Sequence, residues 1–132
     1  MIGIAYLLDT NVCIDFLLGR SAPLAQRMGA NLGALAVSAV TAAELRVGSR
    51  TSADPAGDER RIDTFLSLMQ VVAFDDATSR VYAKVVGQIG VRRRGFDRLI
   101  GTQALALNVP LITRNEKDFA DIPGLKVEDW TQ

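Results

Sequence analysis

Leu7-Leu8-Asp9-Thr10-Asn11 decides how this chain is read: an apolar strand that ends on a carboxylate close to the start. Three more acids, Glu44, Asp97 and Asp118, occupy comparable junctions farther along. In an open α/β sheet, ligands bind along the edge where strands end and helices begin. Four carboxylates gathered on such an edge raise one another's pKa and call for a cation. An all-oxygen donor set selects a hard divalent metal.

The rest of the composition narrows the chemistry. The 132 residues fit one domain, 1–132, in which roughly two thirds of the unfolded surface becomes buried. Apolar residues make up 48% and aromatics only 6%, so Leu, Val, Ile and Ala do the packing. Fifteen basic residues cancel fifteen acidic ones, which leaves no global attraction to polyanions. Recognition of a nucleic acid must therefore rest on local patches, the clearest being Arg92-Arg93-Arg94. With no histidine and one cysteine, Cys13, the chain holds neither a Ser-His-Asp or Cys-His centre nor a disulfide framework. His-ligated and multi-thiolate zinc sites are excluded as well. The start has no basic stretch followed by a signal-type apolar run, and no apolar run approaches ~20 residues. The expectation is a cytoplasmic protein with no membrane partner.

Strands alternate with helices along the chain. Ile4 to Leu8 reads as a buried strand, Asn11 to Leu18 as a mostly buried helix, and Ala22 to Ala30 as a second helix. Leu35 to Val40 is the next strand, and Thr41 opens a helix that closes near Gly48. Thr51 to Asp58 is the clearest loop, a tip between helices, and Glu59 to Met69 has helical spacing. Val71 to Phe74 is a short strand, after which Asp75 or Asp76 caps a helix from about Ala77 to Ile89. A basic loop over Gly90 to Gly95 leads to a helix from Asp97 to Leu107. Pro110 to Thr113, Asn115 to Phe119 and Lys126 to Trp130 read as strand, short helix and edge strand. The alternation predicts an α/β fold with a central parallel sheet of about four to five strands flanked by helices.

Each acid also has an ordinary structural reading. Asp9 stands where an N-cap is needed. Thr41-Ala42-Ala43-Glu44 has the form of a capping box. Asp97 favours the dipole of the helix it opens, and Asp118 reads as surface charge. What lifts them together is their shared position at strand ends and helix starts. Asp15, one turn into the first helix, is expected to face solvent or a nearby Arg. Cys13 is expected to be a buried small hydrophobe, and Trp130 a strand side chain packed on the core.

Four ordered segments carry a family resemblance. Leu7-Leu8-Asp9-Thr10-Asn11, Ser38-Ala-Val-Thr41-Ala-Ala-Glu44-Leu45, Asp97-Arg-Leu-Ile-Gly101 and Thr113-Arg114-Asn115-Glu-Lys-Asp118-Phe119 resemble the four motifs of PIN domains. The ending Ile122-Pro-Gly-Leu-Lys-Val-Glu-Asp-Trp130 is similar to that of VapC-type toxins of bacterial toxin–antitoxin pairs. The resemblance spans about residues 4 to 130 and implies a PIN-like fold and a Mg²⁺- or Mn²⁺-dependent endoribonuclease. It places the catalytic acids at Asp9, Glu44, Asp97 and Asp118; the mechanism expected from them puts Asp9 and Asp97 on the metal directly. Glu44 and Asp118 then act through water or a second metal, one of them orienting the attacking water. Thr10, Asn11 and Asn115 match positions that support the acids.

The resemblance also implies a homodimer, a cognate antitoxin protein that silences the enzyme, and a structured RNA substrate, tRNA above others. Arg92, Arg93, Arg94 and Arg114 are the expected phosphate contacts. The chain departs from the family pattern in two places: Gly90-Val-Arg-Arg-Arg-Gly95 replaces a longer Gly/Pro-containing loop, and Gly101-Thr102 stands where relatives often carry Ala-Ala. Two other readings compete. A phospho-receiver domain shares the size and the strand-end aspartate, but lacks a second acidic pair beside Asp9 and a Lys after the later strand. A catalytically silent PIN module that only binds RNA or protein is the remaining alternative.

Overall fold

Alternating burial along three short strands builds the middle of the molecule, which the computed structural model describes over residues 3–91 and 96–132. In β1 (Tyr6–Leu8), β2 (Leu35–Ser38) and β4 (Leu111–Ile112), Leu7, Ala36 and Leu111 point to one face. Leu8, Val37 and Ile112 point to the other. The period of two in side-chain direction makes this alternation, and burial of both faces is why the strands read as continuous apolar runs. β3 (Gln70–Val72) and β5 (Val127–Glu128) complete a five-stranded parallel sheet in the order β3-β2-β1-β4-β5. Leu8 is in register with Val37 on one side and Ile112 on the other. The chain reverses its direction of travel across the sheet between β1 and β4, the place where such sheets form a crevice.

Among the described residues six α-helices cover the faces: α1 (Thr10–Leu17), α2 (Ala22–Ala30), α3 (Ala39–Arg50), α4 (Pro55–Ser67), α5 (Asp76–Ile89) and α6 (Asp97–Leu107). On one side Leu8, Val37 and Ile112 pack with Val12, Leu24, Leu45, Phe65 and Trp130. On the other, Leu7, Ala36 and Leu111 pack with Val85, Ile100, Ala104, Phe119 and Ile122. Cys13 is fully buried, its thiol pushed up by burial, as a small hydrophobe would be. Trp130 is buried edge-on against Tyr6, with ring centroids 4.8 Å apart.

Helix starts depart from expectation where a better cap lies upstream. α3 begins at Ala39 because the Ser38 hydroxyl accepts from the Val40 N–H at 3.0 Å. The capping box at Thr41-Glu44 is therefore not formed, and Gly48 lies within the helix, which runs on to Arg50. α4 begins at Pro55, capped by Asp54, so the loop expected to reach Asp58 is shorter. A Pro in the first turn has its φ already set for a helix. Asp75 caps α5 through the Thr78 N–H at 2.9 Å. The segment after β4 closes as a 3₁₀ turn (Glu116–Phe119). It approaches α6 at Gly101, where a Cβ would stand 2.6 Å from Ile122 Cδ1 and 3.1 Å from Phe119 Cδ1. That contact accounts for Gly at this position instead of Ala. Arg92, Arg93, Arg94 and Gly95 of the basic loop lie outside the described residues. Among the described residues no helix is long and apolar enough to cross a membrane.

Candidate active site

The carboxyl ends of β1, β2 and β4 converge at the sheet's reversal point, and most of the expected site residues lie there. Asp9 follows β1 and caps α1, its Oδ1 accepting from the Val12 N–H at 2.8 Å. Its own N–H donates to the Ile112 carbonyl at 3.0 Å, which ties β1 to β4 at this edge. The carboxyl group is only 4% exposed. Burial pushes its pKa up to about 6, and Asp97 and Asp15 push in the same direction. Hydrogen bonds from the Thr113 hydroxyl and the Val12 amide work against the rise. Asp9 is thus both the cap that sequence alone allows and a carboxyl group that feels a second expected site acid.

Asp97 opens α6, whose N-cap residue Phe96 makes no side-chain capping bond. It is half-buried and favours the helix dipole while adding its field to Asp9. Glu44 enters through hydroxyl groups. Thr10 Oγ1 donates to Glu44 Oε1 at 2.7 Å and lies 3.0 Å from Thr41 Oγ1. Since the Thr10 hydrogen goes to Glu44, the Thr41 hydroxyl donates to Thr10. Thr41 is fully buried, so the relay from α3 through α1 to Glu44 has a fixed base.

The segment after β4 behaves differently. Thr113 is fully buried, donates to Asp9 and accepts from the Asn115 N–H at 3.0 Å. Asp118 lies exposed on the 3₁₀ turn, its N–H donating to the Asn115 carbonyl at 3.0 Å. Asn11 is exposed and Asn115 half-buried. Arg114 Nε lies 2.9 Å from Asp15 Oδ2, with the Arg114 side chain still 46% exposed. Asp15 itself is 2% exposed and also meets Arg20 Nη1 at 3.3 Å. The expectation of a nearby Arg therefore holds for Asp15, and solvent does not reach it. Asp9, Asp97, Glu44 and Thr10 come to one edge, and Asp118 is linked to it through Asn115 and Thr113.

Sequence reading undervalued Thr41 and Thr113, one taken for a cap and the other passed over as a strand end. Their signal was present, because a threonine stands beside each of the three converging junctions, at Thr10, Thr41 and Thr113. Among the described residues no three acids form a ready-made metal-binding group. The donor chemistry nonetheless fits a hard cation: the site offers oxygen ligands only, and the buried Asp9 beside Asp97 gains from any neighbouring positive charge.

A hollow of about 430 Å³ borders this edge, lined by Val40, Ala43, Glu44, Val47, Phe96 and Leu99. Val47 and Phe96 are exposed apolar side chains within it.

Comparison with known proteins agrees with this architecture. The sequence matches the PIN domain over residues 6–125. It is 31% identical over 132 residues to ribonuclease VapC1 of Haemophilus influenzae, covering 96% of this chain and 98% of that one. It is 29% identical over 129 residues to the tRNA(fMet)-specific endonuclease VapC of Shigella flexneri, covering 96% and 98%. The structure superposes on the DNA-bound VapBC of Salmonella typhimurium with a TM-score of 0.89 and 25% identity, covering 96% of this chain and 98% of that one. A parallel sheet of this order, acids at its reversal point and similarity over nearly the whole length lead to one assignment: the chain belongs to the PIN-domain family, within its VapC ribonucleases.

Proposed function

We propose that the chain acts as one nuclease domain, a Mg²⁺-dependent endoribonuclease and the toxin of a toxin–antitoxin pair, with structured RNA as substrate. The observation that carries this reading is the buried Asp9 carboxyl group, next to Asp97 at the sheet's reversal point. Asp9 and Asp97 hold the cation, for which Mn²⁺ is the substitute, and Glu44 and Asp118 complete the acidic edge. When bound, a divalent cation there supplies Lewis-acid polarisation and a water of lowered pKa. Glu44, its carboxylate held by Thr10, would accept a hydrogen bond from the attacking water and orient it. Thr10, Asn11 and Asn115 support the acids. Arg92, Arg93, Arg94 and the half-exposed Arg114 contact phosphates.

The Shigella relative's name specifies a tRNA, which favours tRNA here. The Salmonella and Rickettsia felis neighbours are VapBC complexes, which supports a cognate antitoxin and a cytoplasmic place of action. The apolar face with Val47, Phe96 and Leu99 supports a homodimer.

End-group analysis of cleaved RNA tests the chemistry. Attack by water leaves 5′-phosphate and 3′-hydroxyl ends. Recovery of 2′,3′-cyclic phosphates would contradict it, and a silent binding module would leave the RNA intact.

A further inference from the structure

We propose that Asp15 and Arg114 form a positioning pair that holds the segment after β4, and with it Asp118, against the Asp9 edge. The inference rests on the reading of that edge as a cation-binding nuclease site. The segment leaves the sheet through three consecutive residues, each tied down. The Thr113 N–H donates to the Glu128 carbonyl at 3.0 Å, and its hydroxyl to Asp9. Arg114 Nε stands 2.9 Å from the buried Asp15. The Asn115 N–H returns to Thr113 Oγ1 at 3.0 Å. Thr113 and Arg114 thus fasten to two points of α1, its N-cap and a residue six positions on, about 9 Å apart along the axis. Two such anchors fix the direction of a segment, where one would leave it a pivot. Beyond them the next firm hold is Phe119, buried against the α6 side of the core.

A structural role alone explains the pair poorly. A buried carboxylate with its cation partner adds little stability over apolar residues of similar size, because desolvation offsets the attraction. What the pair adds is placement, since the Nε–Oδ2 contact draws the Arg114 side chain onto a fixed, buried point of α1. Arg20, the second cation on Asp15, comes from the loop after α1 and holds nothing of the later segment. As a pair Asp15 and Arg114 act through their neighbours, and the phosphate contact proposed for Arg114 uses the part of its side chain left exposed.

The sign of an effect on Mn²⁺ affinity separates this role from charge alone. Removing a cation from an acidic edge strengthens metal binding if only electrostatics matter. Removing a positioning residue weakens it. Mn²⁺ binding to the full-length protein, read from the free-ion paramagnetic resonance signal, is therefore the test, with circular dichroism and thermal unfolding confirming the fold. R114Q weakens Mn²⁺ binding about tenfold, the scale of losing a group that orients a ligand. R114K recovers part of the loss, R20Q binds as the wild type does, and combining D15N with R114Q costs no more than the worse single change. R114Q that stays folded and binds Mn²⁺ as well as or better than wild type overturns the inference alone. Wild-type protein that binds no Mn²⁺ overturns it together with the reading of the site.

Discussion

The two flanks of the acidic edge are built differently. On the β2 side, Glu44 is gripped by Thr10, and Thr10 by the fully buried Thr41, so its carboxylate is aimed before any ligand arrives. On the β4 side, Asp118 lies exposed on a one-turn 3₁₀ element, linked to the edge through Asn115 and Thr113. The difference teaches that the site joins an acid whose carboxylate is itself held to one whose backbone segment is anchored but whose side chain is exposed. A preorganised carboxylate suits a group that must meet its water at a set angle. An exposed turn suits the side where a bulky polyanion enters and leaves.

Changing the two acids one at a time breaks or sharpens this contrast. E44Q is expected to lower the cleavage rate by about a hundredfold, the lower range for losing a positioned acid–base group. D118N is expected to lose about tenfold, because its loop and the remaining acids compensate. Single-turnover cleavage of a tRNA pool compares the two, and equal losses would end the distinction between the flanks.

Asp9 tests the cost of the shared centre. Its pKa in the folded protein is about 6 against an ordinary 3.8, so the native state holds the proton more tightly than the unfolded chain. With the cation chelated, ionised Asp9 therefore opposes folding fully above pH 6, and the penalty fades as the pH falls from 6 toward 4. D9N, which keeps the N-cap, is expected to stabilise the protein by about 2 kcal/mol at pH 8 and by almost nothing at pH 4. Urea unfolding at the two pH values reads the difference. In the presence of the cation, which favours ionised Asp9, cleavage is expected to fall only at a pH below 6.

The smallest expected effect on stability probes the Glu44 flank itself. T10V severs the relay from Thr41 to Glu44 and costs about 1 kcal/mol of stability, the net value of one such hydrogen bond. Its cleavage defect should lie between those of D118N and E44Q, since Glu44 remains but loses its aim. A variant as active as wild type would show that the relay serves packing only.

Much of this was legible in the sequence, for identifiable reasons. The parallel sheet was readable because Leu7-Leu8, Ala36-Val37 and Leu111-Ile112 are apolar on both faces, which only a sheet covered on both sides requires. α2 and α6 were readable to the residue because Ser21 caps the first and both end on asparagines, Asn108 in the left-handed region. The start of α3 was not, since Ser38 and Thr41 are both good caps and only the burial of Thr41 beside Thr10 decides between them. Asp9 and Asp97 were suggested together with the other acids by their junctions, and their pairing on one metal followed only from the family resemblance. The hydroxyl relay and the burial of Asp15 between Arg20 and Arg114 depend on helix orientations that a linear pattern does not encode.

Incubation of the purified, antitoxin-free protein with a tRNA pool tests the central claim most directly. Reactions with Mg²⁺, with EDTA and with D97N are run side by side. The account expects discrete cuts with Mg²⁺ that vanish with EDTA and fall by about three orders of magnitude in D97N, the scale of losing a charge aimed at the reacting centre. Cuts that persist in EDTA and at full strength in D97N would contradict it, and the Asp9–Asp97 edge would no longer be the site of cleavage.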